Sequence, residues 1–118
     1  MLHFRVEPQA GYILVRLAGL VSLQAWQQAL GELEAALREV PGNRMVLDLM
    51  GLLGYLGTFE RQSVGALMAT HFGKMEKVAV AVHAEKITDV VRSEAHRGGL
   101  QLRLFPQLEE AVGWVTAI

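Results

Sequence analysis

At 118 residues, with 52% hydrophobic and 19% charged side chains, the chain fits one domain that can bury a core without staples. A net charge of −1 and a pI near 6.4 give it no basic field for nucleic acid, and the absence of cysteine excludes disulfides, thiol nucleophiles and zinc–thiolate sites. The apolar fraction exceeds that of an average soluble domain, so the surplus must enter a well-covered sheet, a ligand pocket, a self-association surface or a membrane contact.

LHFRVEP (2–8) alternates apolar and polar residues, the pattern of a half-exposed strand. Arg5 and Glu7 stand where a signal peptide would be apolar, which argues against one. QAG turns the chain, and YILVRLAG (12–19) returns as the second strand of an antiparallel hairpin. Ser22 is placed to cap a helix whose stripe is Leu23, Trp26, Leu30, Leu33, Leu37 and Val40, and PGN ends it. RMVLDLM (44–50) is a near-continuous apolar run, as for a strand covered on both faces. Thr58 can cap a second helix, Glu60 suits its dipole, and Val64, Leu67, Met68 and Phe72 form its apolar side up to Gly73. KVAVAVH (77–83) is another buried strand. Ile87, Val90, Val91 and Ala95 make the apolar edge of a third helix that stops at Gly98-Gly99. LQLRLF (100–105) is the last strand. Pro106 is expected at the first position of a last helix buried through Leu108, Ala111, Val112 and Val115.

The order β-β-α-β-α-β-α-β-α implies a single α/β domain over 1–118 with a mostly parallel sheet and right-handed crossovers. Ligands of such sheets bind beyond the carboxyl ends of the strands. LMGLLGYLGTF (49–59) leaves from one of those ends, HAEK (83–86) and FPQ (105–107) from others. The first of these has no charge and glycines at Gly51, Gly54 and Gly57. It lacks the Lys-Ser/Thr of a phosphate loop and the spacing of a dinucleotide fingerprint. The glycines serve either to turn a crowded crossover or to make a flexible lid over an apolar pocket. Leu52, Leu53, Tyr55, Leu56 and Phe59 would line that pocket, with Met68, Phe72 and His83 completing it. Gly57 and Gly73 also bracket the second helix, which could then swing away from the sheet or stay fixed with ordinary core residues beneath it.

Other polar residues offer little chemistry. Asp48, inside a buried strand, must be bonded, and such a carboxylate more often ties loop amides than performs catalysis. His3, His71, His83 and His96 form no metal-binding pair in sequence, and Ser63 has no nucleophile context. Lys86, Arg92, His96 and Arg97 could make a mild basic face for anionic lipid, diluted by Glu85, Asp89 and Glu94. Trp26 and Trp114 fall on helices as packing residues. No paired carboxylates, activated nucleophile or metal cluster is visible, so the chain is not expected to be an enzyme or to carry a cofactor.

RMVLDLMGLLGYLGTFE, HFGKMEKVAVAVHAEKITDVV and LQLRLFPQLEEAVGWV, in this order of elements, resemble the STAS fold of anti-sigma-factor antagonists. The closer resemblance is to the SpoIIAA-like family of small bacterial proteins, grouped with STAS and CRAL-TRIO lipid-binding domains. Its ending, a final strand into Phe, an acidic turn and a short helix ending in Trp, is matched by Phe105, Glu109, Glu110, Ala111, Trp114 and Val115. STAS antagonists are switched by phosphorylation in an Asp-Ser-Ser-Gly motif. Laid on this chain it falls on Leu56, Gly57, Thr58 and Phe59, with Thr58 for the phosphoacceptor and neither the Asp nor the Gly present. Two functions follow as expectations. The first is a non-enzymatic module for a lipid or other apolar small molecule, cytoplasmic or peripheral to the inner membrane, with a homodimer as one form it could take. The alternative is a STAS-type regulatory protein-interaction domain.

Overall fold

A computed structural model describes residues 1–117. The elements follow the expected order: β1 (Leu2–Gln9), β2 (Tyr12–Leu20), α1 (Leu23–Leu37), β3 (Arg44–Leu53), α2 (Thr58–His71), β4 (Lys77–Ala81), α3 (Asp89–Arg97), β5 (Leu102–Phe105) and α4 (Leu108–Thr116). A short 3-10 turn, Ala84–Lys86, which the sequence pattern does not announce, precedes α3. The sheet runs β1-β2-β3-β4-β5, with β1 antiparallel to β2 and the other pairs parallel.

Each parallel crossover advances one strand in the same direction, so a common handedness places α1, α2 and α3 on one face. There Trp26, Leu30 and Leu33 of α1, Val64 and Met68 of α2 and Ala95 of α3 pack on Val15, Leu47 and Val80. Among the described residues α4 alone covers the other face, where Ala111 and Val115 bury Val46, Ala79 and Ala81. The aromatics of the C-terminal motif meet there, Phe105 and Trp114 lying 5.9 Å apart. The last carbonyls of α4 are satisfied by cations from the strand starts: Arg44 donates to Val115 and Ala117, and Lys77 to Trp114 and Ala117.

The helix starts are local. Ser22 has extended backbone and accepts from the Ala25 amide at 3.0 Å, as its sequence position predicts. Two starts differ from expectation. Gly57, not Thr58, is the N-cap of α2; the Glu60 carboxylate accepts from its amide at 2.9 Å, so Thr58 is the first helical residue. Pro106 lies before the α4 N-cap, Gln107, because α4 begins only at Leu108.

Helix α2 is held on three sides. Val64, Met68 and Phe72 enter the core, Gly65 touches α3, and His71 Nδ1 lies 2.6 Å from Glu34 Oε1 on α1. Neither Gly57 nor Gly73 has positive φ. The hydrogen bond with His71 holds the Glu34 carboxyl below its ordinary value, with help from the His71 and Arg38 charges and against a smaller desolvation. A carboxylate so lowered in the folded state contributes stability above its unfolded pKa and loses it as pH falls through the folded one. Urea midpoints of the wild type are therefore expected to decline below about pH 5. Glu34→Gln should decline less over that window, so that the two curves converge in acid. Parallel curves would show that the pair adds nothing to stability.

Candidate functional site

The site is built at the carboxyl end of the sheet, where β3 passes into α2. Along β3 the inward residues are first Met45, Leu47 and Leu49, at period two. Between Asp48 and Gly51 the strand carries one residue more than its partner, since Arg16 pairs with Asp48 and Ala18 with Gly51. This bulge reverses the alternation. Leu52 turns into the core and Leu53 turns out, paired with Leu20.

Asp48 holds the bulge. Its Oδ1 accepts from the Met50 amide at 3.1 Å and its Oδ2 from Arg16 at 2.8 Å, while Arg16 Nε donates to Glu7 at 3.0 Å. All of its contacts are structural, and they satisfy a buried charge that would otherwise be costly. His83, exposed at the end of β4, donates through Nε2 to the Met50 carbonyl at 3.1 Å, and Lys86 donates to the Leu52 carbonyl at 3.1 Å. Three polar side chains thus fasten the irregular stretch.

Gly54, at φ +94°, is the one glycine of the 49–59 run that needs the left-handed region. Beyond it Tyr55 lies flat enough for the Lys86 ammonium to stand 5.0 Å from its ring centre. Thr58 is exposed on the first turn of α2. Leu20, Leu53, Tyr55 and Phe59 are 62%, 65%, 67% and 75% exposed. Only one other large apolar side chain among the described residues is so exposed, Met1.

Beneath the crossover lies a slot of about 90 Å³. Leu52, Val64, Met68 and Val82 are among its buried walls, and Leu56, Arg61 and Lys86 among its partly exposed rim. The eight residues expected to line one apolar pocket are therefore divided. Leu52, Tyr55, Leu56 and Met68 line the slot, whereas Leu53 and Phe59 do not. Phe72 is core at the far end of α2, beside a different groove that includes His71 and Arg38, and His83 is tied to Met50. The bulge and the helical twist separate them.

The basic face expected on α3 is largely neutralised: Arg92 pairs with Asp89 at 2.7 Å and Arg97 with Glu94 at 3.5 Å, while Lys86 belongs to the preceding turn. Among the described residues no three His, Asp or Glu side chains gather to hold a metal, and no helix is long and apolar enough to cross a membrane.

No family profile and no curated protein matches the sequence. Solved structures match it along nearly its whole length. A DUF3478-family protein from Shewanella loihica, described as having a SpoIIAA-like fold, is 19% identical with a TM-score of 0.64, over 97% of this chain and 93% of its own. The chain has a SpoIIAA-like fold. An anti-sigma factor antagonist from Mycobacterium paratuberculosis shares it at 21% identity and a TM-score of 0.58, over 99% and 96% of the two chains. A variant of RsbS from Moorella thermoacetica does so at 17% and 0.56, over 95% and 93%. At these identities the likeness is one of fold. In this SpoIIAA-like chain, the end of the sheet that bears Thr58 also bears the exposed apolar cluster.

Sequence reading did not single out Arg16, Arg61 or Leu20. Arg16 had a signal: it is the lone charge of β2 and Asp48 the lone acid of the neighbouring β3, as a cross-strand pair would be. Arg61 sits in the mixed stretch FERQS, and nothing local marks it.

Proposed function

We propose that the chain is a non-enzymatic regulatory module of the anti-sigma-factor-antagonist kind, docking a protein partner through the face formed by Leu20, Leu53, Tyr55 and Phe59 around Thr58. The observation that carries this reading is the gathering of the large exposed apolar side chains at one end of the sheet, Met1 beside Leu20 included. Exposed apolar clusters of this kind mark interaction surfaces, and aromatic anchors dominate their energetics. An antagonist of an anti-sigma factor and RsbS among the structural neighbours favour a protein partner over the lipid or apolar ligand, peripheral-membrane and homodimer expectations. The slot agrees, since about 90 Å³ is well below the roughly 300–1,000 Å³ of small-molecule sites. In this reading Thr58, exposed on the first helical turn, is the hydroxyl a partner kinase would modify. A phosphate there would place about two negative charges on the docking face, beside Glu60.

Calorimetric titration of the purified protein against the anti-sigma factors of its own organism tests the reading. Wild type is expected to bind one of them. The double variant Leu53→Ser, Phe59→Ser is expected to bind about 100-fold more weakly with its thermal unfolding unchanged, because both side chains are already in water. Thr58→Glu should weaken binding as well. Absence of binding by wild type, or equal affinity of the double variant, would refute the assignment.

A further inference from the structure

The slot beneath the crossover has a chemistry of its own. We propose that it receives one aliphatic side chain of the docked partner, and that Arg61 and Lys86 at its rim pair with an acidic residue adjacent to that side chain in the partner's sequence. This rests on the protein-docking reading above and adds the recognition chemistry of the partner.

The walls decide the first half. Leu52, Val64, Met68 and Val82 are buried and apolar, and no buried side-chain nitrogen or oxygen among the described residues lacks a partner, so the slot asks for no hydrogen bond. An apolar cavity of about 150 Å³ admits benzene. At about 90 Å³ this one suits a single branched or linear aliphatic side chain, not an aromatic ring or an acyl chain. A side chain seated in a desolvated pocket, ringed by contacts that exclude water, is the usual form of an interface hot spot. Here Tyr55 and Leu56 supply part of that ring.

The rim decides the second half. Two cations line it and no carboxylate does. Arg16, Arg38, Arg44, Arg92 and Arg97 each have an acidic partner within 3.5 Å, whereas Arg61, like Arg103 of β5, has none among the described residues. Lys86 spends one donor on the Leu52 carbonyl and retains two. Glu60, the acid next to Arg61 in sequence, is directed to the Gly57 amide. The rim therefore holds positive charge that no carboxylate among the described residues compensates, over a pocket that takes an aliphatic group. A partner's carboxylate supplies the complement, and part-buried carboxylate–guanidinium pairing gives such an interface its register.

A random-peptide library selected on the intact protein tests this. Selected peptides are expected to share Leu, Ile, Val or Met with Asp or Glu within two positions. The synthetic consensus peptide should lose about tenfold or more in affinity when its aliphatic residue becomes alanine, and by a similar factor against Arg61→Glu. Arg61 is partly exposed, so thermal unfolding of that variant should match wild type. Methyl NMR should give contacts between the peptide's aliphatic group and Leu52, Val64 and Val82. No enrichment, a consensus without the aliphatic–acidic pair, or contacts elsewhere would overturn the proposal. Should Arg61→Glu bind the anti-sigma factor as wild type does while Leu53→Ser, Phe59→Ser does not, the docking face stands and the slot assignment alone falls.

Discussion

Phe72→Ala is expected to lower the free energy of unfolding by about 3–5 kcal/mol. Phe72 is 1% exposed and is the C-cap of α2, in the core cluster shared by α1, α2 and the sheet. Its backbone is fixed as well: its amide donates to the Met68 carbonyl at 2.8 Å, and its carbonyl accepts from Met75 at 2.9 Å. The residue thus cannot slide to fill the void its ring would leave, and the full cavity cost falls on the core. A domain of this size has about 5–15 kcal/mol in total, so about a fifth or more of its stability is at stake. Urea unfolding followed by circular dichroism should show the midpoint falling by about 2 M with the slope unchanged. Phe59→Ala, at a ring 75% exposed, should move it by less than about 0.5 kcal/mol. The contrast separates two phenylalanines of one helix, one in the core and one on the docking face. A loss below about 1 kcal/mol at Phe72 would mean that the end of α2 repacks freely, as a swinging helix would.

Gly65→Val is expected to cost about 3 kcal/mol. Gly65 lies inside α2, where glycine is intrinsically unfavourable by about 1 kcal/mol relative to alanine. Propensity alone would make its replacement stabilising. A Cβ at this position would stand 2.6 Å from the Val91 carbonyl oxygen, 2.8 Å from Glu94 Cβ and 3.3 Å from the Ala95 amide. Two of these are backbone atoms of α3, which no rotamer change can move aside. Valine must therefore push the two helices apart, and α3 carries Val91 on the margin of the slot. Differential scanning calorimetry should show the melting temperature falling by about 10 °C or more. Gly31→Ala in α1, where a Cβ would meet nothing within 4 Å, should raise it by a few degrees, by about the propensity difference. A rise in both would show that the α2–α3 contact is loose.

The elements themselves were legible because their causes are local. Ser22 caps α1 through its own side chain, and Trp26, Leu30, Leu33 and Leu37 line one stripe of it. RMVLDLM and KVAVAVH are apolar on both faces because helices cover both sides of β3 and β4. The same periodicities place the carboxyl ends of the strands, and with them the region of the site.

What the sequence by itself determined, then, is the series of elements, the covered strands and the apolar character of residues 49–59. The tertiary structure alone decided which of those residues face water. Alternation at period two would place Leu53 in the core and Leu52 outside, and the bulge reverses them. That bulge depends on Asp48 meeting Arg16 from thirty-two residues away. Gly65 shows the same limit: its value comes from a helix that passes within 2.6 Å of its missing side chain, not from any property of α2. Arg61 and Lys86 likewise share a rim only because β4 lies beside β3 in the sheet. Short-range preferences act between residues within a turn or two of one another. Register, close approach and the pairing of distant charges are settled only when the sheet is assembled, because their energies depend on contacts across it.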